Sequence, residues 1–356
     1  MTHLATPRIT YSLAEPRHDA DLRALLRELD MPGWARMTMT REPSYFIGQH
    51  RFGQDRTVIG HAPDGQAAGM FASAVHPVHV DGQAVQAGYL GALRIRPAWR
   101  HRARLLREGF ALVREHHPPN ALPLWYTAIA SDNLPARRVL EAGLPGLPRY
   151  RHLNELVSLA LPARRARRLG LWQPVPAGDI HRVCAFHDAQ ANAHQFAPQL
   201  PPALAARPEL NLHWLPDDSG NVAACVALWH RQGEQQIRAL GYRQPLAALR
   251  PLVNAAAWLT RRVPLPAPGQ PLDHAYAAFL AVAPAWQPRL PDLLRDALAL
   301  CPAGALSLGL HAAHPALPAL VRAFAPLTYR TRIYAVAFGD EAPQGNRPAQ
   351  PEIAVM

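Results

Sequence analysis

The chain has 356 residues, 49% of them apolar and 18% charged, a composition typical of a globular protein large enough for two hydrophobic cores. No apolar run approaches the roughly 18–20 residues of a membrane helix, and the start of the chain lacks the apolar segment of a signal peptide. The sequence therefore favours a cytoplasmic protein with no membrane partner.

Cysteine and histidine show no pattern of a metal site. Cys184, Cys225 and Cys301 are far apart and odd in number, and the 18 histidines are scattered. Such spacing indicates neither a disulfide framework nor a ligand cluster. We expect reduced cysteines and no metal cofactor.

The formal net charge of +11 would suit a nucleic-acid partner. All 37 basic residues are arginine, however, a bias typical of a GC-rich genome. Only two segments, 94–107 and 164–168, are densely basic, and neither alternates with aromatic residues as a base-stacking platform does. These observations argue against nucleic acid as the partner.

Apolar periodicity and turn residues predict a mixed α/β unit in the first half. Its clearest element is a hairpin closed by Val-Asp-Gly-Gln at 80–83, because Asp-Gly is a favoured two-residue turn. The predicted strands are 8–14, 66–75, 84–95, 123–130 and 149–160, and the predicted helices are 20–29, 103–117 and 134–142.

The second half repeats this order of elements. Its predicted strands are 210–215, 222–230, 275–283, 304–310 and 329–338, and its predicted helices are 177–193, 245–260, 290–300 and 315–325. The words Pro-Ala-Trp at 97–99 recur at 284–286, each followed by Leu-Leu-Arg and an acidic residue. We interpret the chain as an internal duplication.

A cationic loop links the predicted strand ending at Ile95 to the helix that follows it. Pro97 stops the strand, and Arg100, Arg102 and Arg104 precede or open the helix. Backbone N–H groups at a helix start lack partners and the helix dipole is positive there, so phosphate groups bind at such places. Arginine adds directional bonds to phosphate oxygens.

This segment resembles the acetyl-CoA pyrophosphate loop of the GCN5-related N-acetyltransferase (GNAT) family, whose pattern is Gln/Arg-x-x-Gly-x-Gly/Ala. Arg100 matches its first position, whereas Ala103 and Leu105 replace its two small residues. Downstream, Asn133 stands where the family's asparagine contacts the pantetheine arm. The resemblance covers roughly residues 8–160. It implies that the following residues bind the cofactor: Leu93, Arg94, Ile95, Arg100, His101, Arg102, Ala103, Arg104, Leu105 and Asn133.

The resemblance implies an α/β fold (α+β mixed) of two tandem GNAT-like domains, each a mixed, mostly antiparallel sheet flanked by helices. We expect an acetyl-CoA-binding domain at 8–161, a linker at 162–170, a degenerate domain at 171–338 and a disordered tail at 339–356. The second domain is degenerate because its loop, 287–294, has one arginine, one acid and two prolines that remove N–H donors.

The acid and base usual in the family are missing from their usual positions. Strand four has Tyr89 and Gly91 where a carboxylate is common, and Leu140 stands at the position of the helical tyrosine. Tyr89 and Tyr126 are the replacement candidates for catalysis, although both could simply be half-buried strand aromatics. Two histidines near the hairpin turn could act as bases or be loop residues; they are His76 and His79.

The predicted function is acetyl-CoA-dependent N-acetylation of an unknown small-molecule or peptide amine by the first domain. Glu42 and Tyr45 lie where the family binds the acceptor, although an acid beside proline also suits a helix start. Because the usual acid and base are absent, a non-catalytic acyl-CoA-binding protein remains the alternative.

Overall fold

The computed structural model describes residues 8–29, 35–100, 103–117, 124–339 and 345–356. The helices in these ranges are Asp19–Glu28 (α1), Ala103–His116 (α2), Leu134–Glu141 (α3), Ile180–Ala191 (α4), Pro202–Ala205 (α5), Leu246–Leu259 (α6), Leu290–Leu300 (α7) and Leu317–Phe324 (α8). The strands are Thr10–Leu13 (β1), Ala35–Thr40 (β2), Gln54–His61 (β3), Ala67–Val80 (β4), Gln83–Ile95 (β5), Trp125–Ala130 (β6), Arg149–Pro162 (β7), Gln173–Pro174 (β8), Ala197–Pro198 (β9), Leu212–Pro216 (β10), Val222–Trp229 (β11), Gln236–Tyr242 (β12), Ala275–Val282 (β13), Ala305–His311 (β14) and Leu327–Ala337 (β15).

One 13-stranded sheet runs through the molecule in the order β1-β3-β4-β5-β6-β15-β7-β14-β13-β11-β10-β8, with β9 beside β4. Two neighbouring pairs, β5/β6 and β13/β14, are parallel, and the other pairs are antiparallel. A separate sheet pairs β2 with β12. The predicted mixed, mostly antiparallel architecture is confirmed.

The two halves exchange their last strands. β7 of the first half pairs with β14 of the second, and β15 of the second half lies between β6 and β7. Each half therefore completes its sheet with a strand from the other. The domains predicted at 8–161 and 171–338 share one sheet.

Both halves have the same order of elements, β5-α2-β6-α3-β7 and β13-α7-β14-α8-β15. They also share a backbone irregularity, because Ala92 in β5 and Phe279 in β13 both have a φ of 51°. Left-handed backbone is rare for residues other than glycine, and both positions adjoin a register shift with the neighbouring strand. The tandem arrangement predicted from the sequence is confirmed.

The hairpin predicted across 80–83 is present, with Asp81 and Gly82 both at positive φ, 51° and 83°. Two positive φ values are what a type I′ turn requires. Five strands were not predicted: β2, β3, β12 and the two-residue strands β8 and β9. The pairing of β2 with β12 joins segments nearly 200 residues apart, for example Thr40 with Gln236, so no local pattern announces it.

Residues 345–356 differ from the disordered tail that we expected from residue 339 onward. Ala349 and Ala354 are buried. Asn154 holds Ala349 through two bonds, since its Nδ2 donates to the Ala349 carbonyl at 3.0 Å and its Oδ1 accepts from the Ala349 N–H at 2.7 Å. The segment is anchored by specific side chains despite its proline- and polar-rich composition.

The hydrophobic core is filled more completely in the second half. There α7 packs its apolar face against the sheet, burying Leu290, Leu293, Leu294 and Leu298. In the first half, smaller clusters on β4, β5, α2 and α1 surround an open cavity. No helix in the described ranges has the length and apolar character needed to cross a membrane.

Candidate active site

The site begins where the parallel strands β5 and β6 diverge. They pair only at Gly88–Trp125, Tyr89–Tyr126 and Leu90–Thr127. Beyond this point, Ala92 and Leu93 have no paired residue in the register with β4 either. The divergence leaves backbone hydrogen-bonding groups facing a gap, which an oxygen-bearing ligand can fill.

A cavity of about 490 Å³ lies along this gap. Its wall on the α2 side is apolar and includes Leu93, Leu106, Phe110, Ile129 and Leu140. The cavity continues past Tyr89 to residues of the second half, including Trp229 and Tyr276. A cavity of this size, apolar along one wall and lined by both halves of the chain, suits an organic ligand.

The predicted phosphate-binding loop lies at the first turn of α2. Ala103 begins the helix, and no acidic residue stands in its first turn. Arg100 is exposed and donates from Nε to the Ile95 carbonyl at 3.0 Å, while Arg104 pairs with Glu108 at 2.7 Å. His101 and Arg102 lie outside the described residues.

The end of β5 and the third residue of α2, Leu105, form the wall below this loop. Leu105 is buried with Ile9 and Ala68, so its side chain packs toward the sheet. Leu93, Arg94 and Ile95 all line the cavity. The replacement of a small residue by Leu105 therefore adds to the core beneath the helix.

Asn133 caps α3 and also lines the cavity. Its Oδ1 accepts a hydrogen bond from the Ala136 N–H at 3.3 Å, the interaction of an N-cap. The Nδ2 group of an N-cap asparagine stays available as a donor. The structural and ligand-binding roles predicted for Asn133 are thus compatible.

The two candidate tyrosines have different environments. Tyr89 lines the cavity and its hydroxyl has no hydrogen-bond partner among the described residues; burial raises its pKa to about 12. Tyr126 is only 1% exposed, and its hydroxyl lies 2.7 Å from His76 Nε2. Its ring stacks on Phe196 with a centroid distance of 4.6 Å. Tyr89 is therefore free to meet a ligand, whereas Tyr126 lies behind it with its hydroxyl engaged.

Of the two candidate histidines, His76 is a cavity residue and His79 is not among the residues lining it. Burial lowers the pKa of His76 to about 4, so its imidazole is neutral at neutral pH. A neutral His76 suits the hydrogen bond to Tyr126, but a pKa this low makes it a weak base.

Asp55 was not predicted from the sequence, because β3 was not recognised as a strand. It is the only Asp or Glu side chain lining the cavity among the described residues. The sheet register aligns Asp55 with Ala74 and Ala74 with Tyr89, which places Asp55 and Tyr89 two strands apart on one face. A carboxylate and a phenol thus flank the same part of the cavity.

Of the two residues predicted to bind the acceptor, Tyr45 lines the cavity and Glu42 does not. Tyr45 lines the cavity, and its hydroxyl lies 2.8 Å from Thr57 Oγ1. Glu42 instead forms ion pairs with Arg23 at 2.5 Å and Arg27 at 3.3 Å. These contacts tie Glu42 to α1 and leave its carboxylate neutralised.

The far end of the cavity is rich in arginine, another feature the sequence did not reveal. Arg41, Arg51 and Arg231 line it. Arg51 pairs closely with Glu234, and Arg231 lies 3.6 Å from the same carboxylate. Arg51 also lies 3.9 Å from Glu209, so two glutamates face three arginines and this end of the cavity has an excess of positive charge.

The equivalent cleft of the second half is occupied by the chain itself. β13 and β14 pair only at Ala275–Leu306 and Tyr276–Ser307. The Phe279 N–H then donates to Glu352 Oε2 at 3.0 Å, and the His311 N–H donates to Gln350 Oε1 at 3.0 Å. The last segment of the chain thus bridges the diverging strands. Among the described residues, no group of His, Cys, Asp and Glu has the geometry of a metal site.

Comparison with solved structures shows the same fold in N-acyltransferases. Saccharomyces cerevisiae N-myristoyltransferase, with bound myristoyl-CoA and inhibitors, is 10% identical with a TM-score of 0.60, over 96% of this chain and 84% of that one. A GCN5-related N-acetyltransferase from Sphaerobacter thermophilus is 12% identical with a TM-score of 0.51, over 96% and 97%.

A third similar structure is the GCN5-related glucosamine N-acetyltransferase region of a fungal multi-domain GH3 beta-N-acetylglucosaminidase. It is 14% identical with a TM-score of 0.60, over 94% of this chain and 38% of that one. No family model and no curated protein sequence matches the chain. At these identities the comparisons show a GNAT fold.

Proposed function

We propose that the protein is an acyl-CoA-dependent N-acyltransferase that works in the first cleft. The single observation that carries the proposal is the alignment along one cavity of the α2 start, the diverging strands β5 and β6, and the free hydroxyl of Tyr89. The fold neighbours are named for transfer of acyl groups to amines, which supports the same reaction class here.

Acetyl-CoA is the donor that the resemblance implies. The α2 start and Arg100 would hold its phosphates, and Asn133 would contact the pantetheine arm. The apolar wall formed by Leu106, Phe110 and Ile129 leaves room for a longer acyl group, so chain length is a property to measure. The acceptor is an amine of a small molecule or peptide reaching the cavity from the electropositive end.

The reaction forms a C–N bond and breaks the C–S bond of the thioester. The backbone N–H groups at the Ala92 bulge would stabilise the negative charge that develops on the carbonyl oxygen. Asp55, directly or through water, would take the proton from the attacking amine. Tyr89, protonated because its pKa is about 12, would give its proton to the departing thiolate.

The test is thiol release from acetyl-CoA and longer acyl-CoAs with a panel of amines, with mass analysis of the products. We expect thiol release that requires both donor and amine, together with an acylated amine. Saturable acyl-CoA binding without amine-dependent release would support the non-catalytic alternative. The absence of both would overturn the proposal.

A further inference from the structure

Helix α6 presents its apolar side to solvent. Leu252, Trp258 and Leu259 are 69%, 64% and 74% exposed, and Leu249 and Val253 are also exposed. We call these five residues the α6 face. Large side chains exposed together on one helix mark an interaction surface, whereas isolated exposed apolar residues are ordinary.

The polar side chains of α6 point inward instead. Asn254 donates from Nδ2 to the Leu265 carbonyl at 2.9 Å and accepts from the Leu265 N–H at 2.8 Å. Arg250 donates to the same carbonyl at 3.3 Å. The helix is thus fixed by polar contacts to the segment below, which is the reverse of an ordinary surface helix.

Arginines surround the C-terminal end of the α6 face. Arg164 donates to the Trp258 carbonyl and Arg165 to the Thr260 carbonyl, at 3.3 and 2.9 Å. The Arg164 guanidinium also lies 5.5 Å from the centroid of the Trp258 ring. We call the following residues the arginine rim: Arg164, Arg165, Arg261 and Arg262.

The arginine rim has an unbalanced positive charge. No ion pair joins its members to a carboxylate of the described residues. The two segments that build this surface, 156–178 and 235–272, contain no Asp or Glu. The surface therefore combines exposed apolar side chains with four arginines that form no ion pair with a carboxylate of the described residues.

We propose that the α6 face and the arginine rim form a docking surface for an anionic lipid membrane. Leucine and tryptophan insert at the boundary between headgroups and acyl chains, and adjacent arginines bind the headgroup phosphates. Trp258, located between the apolar residues and the rim, has the position typical of an interfacial tryptophan. A second copy of the chain is disfavoured as the occupant because an isologous contact would bring like charges together.

The docking surface lies next to the cavity. Asn254 of α6 donates to the Leu265 carbonyl, and Leu265 and Pro266 both line the cavity. The Tyr242 hydroxyl donates to the Pro266 carbonyl at 2.7 Å. Membrane attachment would place the cavity near the lipid surface. The docking proposal stands on its own observations and does not depend on the proposed acyl transfer.

The test is flotation of the full chain with vesicles of phosphatidylcholine alone or mixed with phosphatidylglycerol. We expect binding to the anionic vesicles that weakens as salt is raised. Leu252→Glu should weaken the affinity for anionic vesicles about tenfold or more. The double variant Arg261→Gln with Arg262→Gln should weaken this affinity about fivefold for each arginine replaced. Both changes are at exposed positions, and the unfolding temperature checks that the fold is retained.

Val321→Glu is the matched control, since Val321 is an exposed apolar residue on α8, away from α6. It should leave vesicle binding unchanged. Absence of binding to anionic vesicles, or an equal loss in Val321→Glu, would overturn the proposal. A dimer that dissociates in Leu252→Glu would also overturn it, because a second copy would then cover the face.

Discussion

The backbone N–H of Phe279 donates a hydrogen bond to Glu352 Oε2 at 3.0 Å. Phe279 is the counterpart of Ala92, since both have left-handed φ values at the bulge of equivalent strands. In the second half the bulge N–H therefore binds an oxygen supplied by the chain. In the first half the equivalent residue, Ala92, lines the cavity.

Glu352 should make stability depend on pH. Burial raises its pKa from 4.5 to about 7, so the folded state retains its proton better than the unfolded state does. The contribution of Glu352 to the free energy of unfolding is fully present below about pH 4.5 and is lost as the pH rises through about 7. The loss is on the order of 3 kcal/mol.

Glu352→Gln should remove this component. We expect the free energy of unfolding of the variant, measured by denaturant titration from pH 4.5 to 8, to rise relative to the native chain as pH increases. Parallel pH dependences in the two proteins would show that Glu352 is ionised to the same extent in both states.

Tyr89→Phe should lower kcat about 100-fold and leave acyl-CoA affinity unchanged, because the donor of the thiolate proton is removed. Tyr126→Phe is the matched control. It removes the partner of the buried His76 Nε2 and should cost about 1–3 kcal/mol of stability, with little change in kcat. Equal kcat losses in both variants would place the role of Tyr89 in packing instead.

Asp55→Asn should lower kcat by a similar factor, about 100-fold, because an amide cannot take the amine proton. The effect should shrink with amines that are already neutral at the assay pH. Measured rates that are unchanged across the amine panel would rule out Asp55 as the base.

Arg100→Ala should weaken CoA binding about tenfold or more, since a charge-assisted bond to phosphate is lost. Arg289→Ala is the control, because Arg289 lies in the corresponding loop of the second half, with its guanidinium 4.7 Å from the Trp286 ring centroid. Fluorescence or calorimetric titration distinguishes the two variants.

Local signals predicted most of the fold. The Asp81–Gly82 turn, the Pro97 stop and the apolar periodicity of α7 each depend on residues close in the chain. The exchange of β7 and β15 could not be predicted, because it depends on pairing between residues such as Thr331 and Leu156, which are far apart in the chain. The tail was misjudged because its composition is polar, whereas its order comes from partners such as Asn154.

Several residues that the sequence singled out line the cavity, among them Tyr89, Leu93 and Asn133, and their roles stay predictions. The loop before α2 and Asn133 could be recognised from the sequence because their motifs lie in a typical order and spacing along the chain. Asp55 and Arg231 reach the cavity only through the sheet register and the joining of the two halves. The exposure of the apolar side of α6 could not be predicted either, because the periodicity of apolar residues does not show which side of a helix faces the core.

The most direct test of the central claim is calorimetric titration of the full chain with CoA and acetyl-CoA. We predict micromolar binding at one site per chain, because Glu352 and Gln350 already occupy the second cleft. Arg100→Ala should abolish or strongly weaken this binding. Absence of heat at millimolar CoA, or binding that Arg100→Ala leaves unchanged, would contradict the assignment of the first cleft as the cofactor site.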